Sequence, residues 1–423
     1  MPRKSSRINY KKLVPQDTFL WNYLAYMEAQ ECPYAYDFWT ACWLLSVAVG
    51  RHTVVNRPRA PVYLNLFAIL VADSGITRKS SAVRAATKFA RGISDNPTPY
   101  LIETKMTPEH MLGRLAEQTK QHGTAHIAIS VSELVTFLGK EKYVEQMPTL
   151  LTDLYDSPDI RTGGGTISGG TQRLENVYVS FLSASTPSWL IRAVNPDVIE
   201  GGFTSRVLFI VEEKPKRLNS WPEELDGNAD LQLRTQLAGI RERALQVNTI
   251  EINDGGRKAF DKWYRGRTLH RDVFRSSFQS REDAHILRLA AFLCINDGLW
   301  CIQSSHITTA IKVVEQLRED GASIFEGTGS NSRLILGIDK LRDKLLAAGQ
   351  SGIPQRDLTK AVQNFINAEH MGAALDIMHS LGMVQKFEGI QIGRGRPTTL
   401  WRATSALVEG KALDKIIEAH QPG

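Results

Sequence analysis

An apolar run, Leu66-Phe67-Ala68-Ile69-Leu70-Val71, breaks into the small-residue loop Ala72-Asp73-Ser74-Gly75-Ile76-Thr77-Arg78 and reaches Lys79-Ser80-Ser81 at the head of a helical pattern. This junction constrains the fold more than any other part of the chain. A short, wholly apolar run suits a strand buried on both faces of a parallel sheet. A strand that hands its loop to a helix N-terminus gathers backbone N–H groups around an anion. Ser81 to Ala90 continues with small and apolar residues at helical spacing and no breaker, which puts Lys79 and Ser80 in the first turn, where the helix dipole favours phosphate. There the lysine ammonium meets a polyphosphate and the Ser80 hydroxyl meets Mg²⁺. The expectation is a nucleoside triphosphate site over Asp73, Ser74, Gly75, Ile76, Thr77, Arg78, Lys79, Ser80 and Ser81, with ATP and Mg²⁺ as cofactors. The pattern G-x-x-x-x-G-K-[ST] is incomplete here, because Arg78 replaces the glycine before the lysine and the first glycine falls on Asp73 or, with one insertion, on Ala72. An ordinary strand-turn-helix with a surface Lys-Ser-Ser would carry the same residues.

Three further segments end in polar residues. Ala125 to Val131 is β-prone and runs into Ser132-Glu133. An acid on a strand beside the phosphate loop polarises the attacking water, and Ser132 stands where an Asp usually holds the Mg²⁺ water shell. Glu133 could instead cap a helix after a buried strand, but the upstream loop favours the catalytic role. Val177 to Leu182 leads into Ser183-Ala184-Ser185-Thr186-Pro187. On a strand between the other two, Ser185 and Thr186 could orient the water or touch the γ-phosphate, since ligands bind at the carboxyl edge of parallel sheets. A Ser/Thr turn closed by Pro187 is the plainer reading. Arg206 follows Gly201-Gly202 at the expected start of a strand. It suits the stabilisation of phosphoryl charge, in cis or across a subunit boundary, or simple pairing with Glu212 or Glu213.

The series S-G-x-x-R-K-S, I-S-V-S-E-L, L-Y-D-S-P-D at Leu154 to Asp159, S-A-S-T-P-S-W-L at Ser183 to Leu190 and G-G-F-T-S-R-V at Gly201 to Val207 resembles a family of phage and mobile-element P-loop ATPases, described as primase-helicase-like proteins of a domain-of-unknown-function family. The resemblance runs from about Thr18 to the 320s. It implies phosphate-loop roles for Lys79 and Ser80, the catalytic acid for Glu133, a sensor for Ser185 with Thr186, and the charge-stabilising arginine for Arg206. Ser132 in place of an acid and the missing loop glycines bear on the rate of hydrolysis.

At 423 residues the chain needs more than one core. The pattern divides it into a basic arm and helical N-terminal region (1–49), an α/β core of RecA/AAA+-like P-loop type (50–212), a helical lid (213–325), a hinge (326–333), a winged-helix domain (334–404) and a tail (405–423). The aromatic-rich stretch Thr18 to Val49 reads as core helices rather than as a base-stacking platform. Arg288, with Arg281 as its rival, is the lid residue that could reach back to the phosphates. Arg161 and Arg173 flank a Gly/Ser/Thr loop that either touches a DNA backbone in a ring channel or forms a surface hairpin.

After the hinge, three helical segments and two alternating strands around Gly393-Arg394-Gly395-Arg396-Pro397 follow the order of a winged helix. Arg394 and Arg396 at the wing tip suit a DNA minor groove, although many such modules bind protein. The net charge of +6 agrees with a polyanionic partner without requiring one. Cys32, Cys42, Cys294 and Cys301 lack zinc-finger spacing and lie in mostly apolar segments, so buried free thiols are expected, and with them a cytoplasmic protein. No apolar stretch is long enough to span a bilayer, so no membrane partner is expected. The sequence thus points to an ATP-dependent DNA motor, a helicase or translocase assembled as a homo-oligomer such as a hexameric ring and working with other replication proteins. The alternative is an ATP-gated DNA-binding switch or helicase loader with slow or absent hydrolysis.

Overall fold

The computed structural model of the chain describes residues 8–94, 99–138, 146–163, 172–193, 202–221, 227–270, 272–325, 340–362, 368–380, 382–388 and 399–404. It divides into two compact units, Met1–Ile324 and Phe325–Gly423.

The first unit begins with α1 (Phe19–Tyr26) and α2 (Tyr34–Val49). Every residue of α2 from Ala35 to Val49 is buried, as a helix apolar around most of its circumference requires, with Asp37 the one charged side chain taken inside. Trp39 and Trp43 are wholly enclosed, so these aromatics are core. Gly50, at φ 62°, ends the helix in a conformation that costs glycine little. Two short strands follow, β1 (Val54–Val55) and β2 (Val62–Tyr63).

The apolar junction then forms β3 (Phe67–Val71) and α3 (Lys79–Ser94). Next come β4 (Tyr100–Ile102), α4 (Pro108–His122), β5 (His126–Val131), α5 (Leu134–Leu138) and α6 (Gln146–Tyr155). The hairpin strands β6 (Ile160–Thr162) and β7 (Arg173–Glu175) lead to β8 (Tyr178–Ser185), α7 (Pro187–Ala193), the one-turn α8 (Phe203–Arg206) and β9 (Leu208–Val211).

The central sheet has the order β4-β5-β8-β3-β9, and all its pairings are parallel. Residues of β3, β5 and β8 are buried throughout, the signature of strands covered on both faces. The chain is therefore an α/β protein, and β8 separates β3 from β5. The Glu133 strand is not the immediate neighbour of the loop strand, in contrast to one expectation from the sequence.

The segment 213–325 is mostly helical: α9 (Gly227–Gln246), α10 (Asp254–Gly266), α11 (Val273–Gln279), α12 (Glu282–Asn296) and α13 (Ser304–Phe325). It also carries β10 (Thr249–Ile252) and β11 (Cys301–Ile302), which the sequence reading did not anticipate. These join β1 and β2 in a second sheet of order β11-β10-β1-β2, with Val54 opposite Thr249. The expected lid is thereby stitched to the segment just ahead of β3.

The second unit contains α14 (340–348), β12 (Ile353–Pro354), α15 (Gln355–Val362), α16 (Ala368–Ser380), β13 (Val384–Glu388) and β14 (Thr399–Ala403). Its strands form an antiparallel sheet of order β12-β14-β13. Leu341, Leu345, Leu358, Leu375, Met378 and Trp401 close one core between helices and sheet. The two-residue β12, ending in a proline at the sheet edge, is the strand the sequence concealed.

Candidate functional site

Register alone brings three strand ends together. Val71 is paired with Ser185, and Val131 with Ser183, so Glu133, two residues on, is level with Ser185. A cavity of about 420 Å³ opens at this carboxyl edge. Ser74, Gly75, Arg78, Lys79, Ser80 and Ser81 line it from the β3–α3 loop and the start of α3. Ser132 and Glu133 line it after β5, and Ser185 and Thr186 after β8. The sequence had singled out all of these residues, and the fold gathers them around one space.

The loop is held from beneath. Tyr36 donates its hydroxyl to the Val71 carbonyl at 2.7 Å, and Thr77 donates to the Tyr36 oxygen at 3.4 Å. The Thr77 side chain is consequently enclosed and supports the loop from within. Ile76 is 45% exposed and Asp73 also faces solvent, and neither lines the cavity. The side chains of these three lie outside the cavity lining, so any part they take in holding a ligand falls to their backbone N–H groups.

Positive φ falls on Gly75 at 78° and on Arg78 at 53°. Arg78 thus adopts, without being glycine, the left-handed conformation at the position where the usual pattern has glycine. Its carbonyl accepts from Ser81 N at 2.9 Å, Ala82 N at 3.3 Å and the Cys32 thiol at 3.5 Å. Its guanidinium pairs with Glu31 at 2.6 Å, which holds the Glu31 carboxyl below the usual carboxylate range.

Lys79 donates its ammonium to the carbonyls of Ala72 at 2.8 Å and Asp73 at 2.9 Å, bridging the loop. Partial burial lowers its pKa, while the nearby Asp73 and Glu133 carboxylates raise it. The first turn of α3 contributes the Ser80 and Ser81 hydroxyls, while the Ser81 N–H already donates to the Arg78 carbonyl. Among the described residues no group of three or more His, Cys, Asp or Glu could cage a metal. Divalent cation at this site would therefore rest on phosphate oxygens, water and the Ser80 and Ser132 hydroxyls, the mode that suits Mg²⁺.

Glu133 has two attachments. Its carbonyl accepts from Thr136 N at 3.1 Å and Phe137 N at 3.3 Å, opening α5, and its carboxylate accepts from the Thr136 hydroxyl at 3.4 Å. It is a helix cap that also faces the cavity. Thr186 likewise accepts from Trp189 N at 3.3 Å, capping α7.

The arginines lie elsewhere. Arg206 is the last residue of α8, not the first of a strand, and it pairs with Asp156 at 2.9 Å, not with Glu212 or Glu213. Arg281 shares the same carboxylate at 3.1 Å. Arg288 is 6% exposed and donates to the Tyr63 carbonyl at 2.8 Å and the Tyr155 hydroxyl at 2.7 Å. Tyr63 precedes β3, so Arg288 holds the amino end of the sheet and is no second sensor. Arg161 pairs with Asp153 at 2.5 Å and Arg173 with Glu175 at 2.8 Å on the β6–β7 hairpin. Arg394 and Arg396, the 326–333 hinge and loop residues 164–171 lie outside the described residues.

Glu31 and Arg84 are the participants that the sequence reading left unmarked, whereas Asp156 and Trp189 fall inside its quoted motifs without an assigned role. Nothing in the local pattern marks Glu31, because its role depends on the distant Arg78 and Asn219. Cys32, Cys42 and Cys294 are buried free thiols, as expected, whereas Cys301 is half-exposed. No helix among the described residues is long and apolar enough to cross a membrane. No protein-family model matches the chain, and no curated protein matches it significantly.

Proposed function

We propose that this chain is a P-loop ATPase of RecA/AAA+-like type that works on DNA as an oligomeric helicase or translocase. The observation that carries the reading is the convergence, at the carboxyl edge of a parallel sheet, of Lys79 and Ser80, Ser132 and Glu133, and Ser185 and Thr186 on one cavity. In this reading Lys79 exchanges its two loop carbonyls for the β- and γ-phosphates of ATP. Ser80 helps hold Mg²⁺. Glu133 orients and polarises water, and Ser185 and Thr186 position it against the γ-phosphate.

DNA binding is assigned to the second unit, read as a winged helix on its three helices and antiparallel sheet. Arg394 and Arg396 fall in the connection between β13 and β14, the place of a wing. Their joint replacement by alanine should weaken duplex binding and flatten its salt dependence.

Lys79→Ala should abolish ATP binding in equilibrium dialysis. Glu133→Gln should leave binding intact and cut turnover by roughly 10²- to 10⁴-fold. Unchanged affinity in the first variant would remove the nucleotide site. A slower switch or loader is favoured by one feature, Ser132 lining the cavity where an acid usually holds the Mg²⁺ water shell. Turnover that DNA fails to stimulate would select that second reading.

A further inference from the structure

The segment leaving β9 carries the two most exposed large apolar side chains among the described residues, Leu218 at 86% and Trp221 at 90%. Its backbone is nevertheless firmly tied. Lys216 sits in the interior and donates to Asp37 at 2.8 Å and to the Met27 carbonyl at 2.6 Å. Arg217 pairs with Glu28. Asn219 donates its side-chain amide to the Ala29 carbonyl at 2.9 Å and receives Trp221 N on its own oxygen at 3.2 Å. A rigid strap that leaves its indole in water has a surface to offer.

The strap is tied to the cavity through one carboxylate. Glu31 accepts from Asn219 N at 3.0 Å on one oxygen and from Arg78 Nε at 2.6 Å on the other. Arg78 lines the cavity beside Lys79. Glu133, Ser185 and Thr186 define where a γ-phosphate would lie, so a base must leave the cavity elsewhere along its rim. Arg78 is the rim residue joined to the strap. The loop side of the cavity is polar, whereas a base presents two apolar faces and stacks well on indole.

We propose that Leu218 and Trp221 form the stacking platform for the nucleobase of a nucleotide whose phosphates occupy the β3–α3 loop. The inference rests on the nucleotide reading above and adds to it the place where the base is held. Glu31 then couples the two halves of the site, fixing the strap and the phosphate loop at a set separation.

The test compares ATP with inorganic tripolyphosphate, which has the phosphates without the base, by calorimetry on the full chain. Trp221→Ala should weaken ATP binding roughly 5- to 150-fold and leave tripolyphosphate unchanged. Trp221→Phe should recover most of the loss. Being solvent-facing, these substitutions spare the core. Equal weakening of both ligands, or no weakening of ATP, overturns the platform while leaving the phosphate site intact. So does a selective loss of ATP in Trp189→Ala but not in Trp221→Ala, which would place the base on Trp189, the tryptophan that lines the cavity. If the unaltered chain binds neither ligand, the nucleotide reading fails and the platform fails with it.

Discussion

Arg206 can serve the proposed ATPase only through a neighbouring subunit, and a mixing experiment puts a number on that. Leu208 is paired with Ala68 and Val211 with Val71, so the four residues of β9 run alongside the strand that leads to the loop. At ~3.3 Å per residue they set at least ~10 Å between Arg206, which precedes β9, and the edge carrying Lys79. The guanidinium also points to Asp156 and to the Gly202 carbonyl, at 2.9 and 3.0 Å. Arg206→Ala should therefore leave the affinity of one subunit for ATP unchanged and lower kcat by roughly 10³- to 10⁵-fold. The fold should tolerate the change, because Asp156 is half-exposed and keeps Arg281 at 3.1 Å, and a partly exposed pair of this kind contributes about 0–1 kcal/mol. In a ring of head-to-tail contacts, a 1:1 mixture of Arg206→Ala and Lys79→Ala chains joins an intact loop to an intact arginine at about one quarter of interfaces. Turnover in mixed oligomers, verified by mass, should recover to about that fraction of wild type if interfaces act independently. No recovery in demonstrably mixed oligomers would refute action in trans. Weakened nucleotide binding by isolated Arg206→Ala subunits would refute the geometric argument itself.

Two further outcomes concern the loop and the interior beside it. Arg78→Gly should leave the urea midpoint unchanged or raise it, because glycine adopts positive φ freely, whereas Arg78→Val should lower it; the reverse order would show that the guanidinium–Glu31 pair outweighs the backbone. Burial lifts the Asp37 carboxyl from its ordinary 3.8 to about 7 against the opposing pull of Lys216. Because the folded value is the higher one, its stabilising contribution is complete below the unfolded value and is lost as pH climbs toward 7. Asp37→Asn should accordingly flatten the fall in urea midpoint between about pH 4 and pH 7, a change on the order of a few kcal/mol; an identical slope in the variant would assign the pH dependence to other groups.

What was legible in the sequence was whatever one strand or helix encodes by itself. Phe67 to Val71 announces a buried parallel strand by unbroken apolar character, and His126 to Val131 and Tyr178 to Ser185 by apolar and small residues without a charged one, and each is followed by the polar residues that a parallel sheet presents at its carboxyl edge. The apolar helix Tyr34–Val49 declares its burial in the same way. The second sheet was hidden because β1, β2 and β11 are two residues long and β1 pairs with β10 almost two hundred positions away. No periodicity can be read from two residues. Arg288 was misplaced for a related reason. Helical spacing puts it on α12, but only the tertiary fold decides that its guanidinium meets Tyr63 and Tyr155 and not the loop.

The β3–α3 loop shows how a residue other than glycine holds a left-handed backbone directly ahead of the lysine. Glycine is favoured ahead of the lysine because left-handed backbone is cheap for it alone. At Arg78 that conformation is held by three donors on one carbonyl and by the Glu31 carboxylate on the side chain. The departure from the pattern also supplies a bond that glycine could not make. Through Glu31 the arginine ties the loop to Asn219, and so to the strap that carries Trp221. In the proposed site the residue that breaks the motif is thereby the one that connects phosphate recognition to base recognition. A chain with glycine at this position would keep the loop and lose the connection.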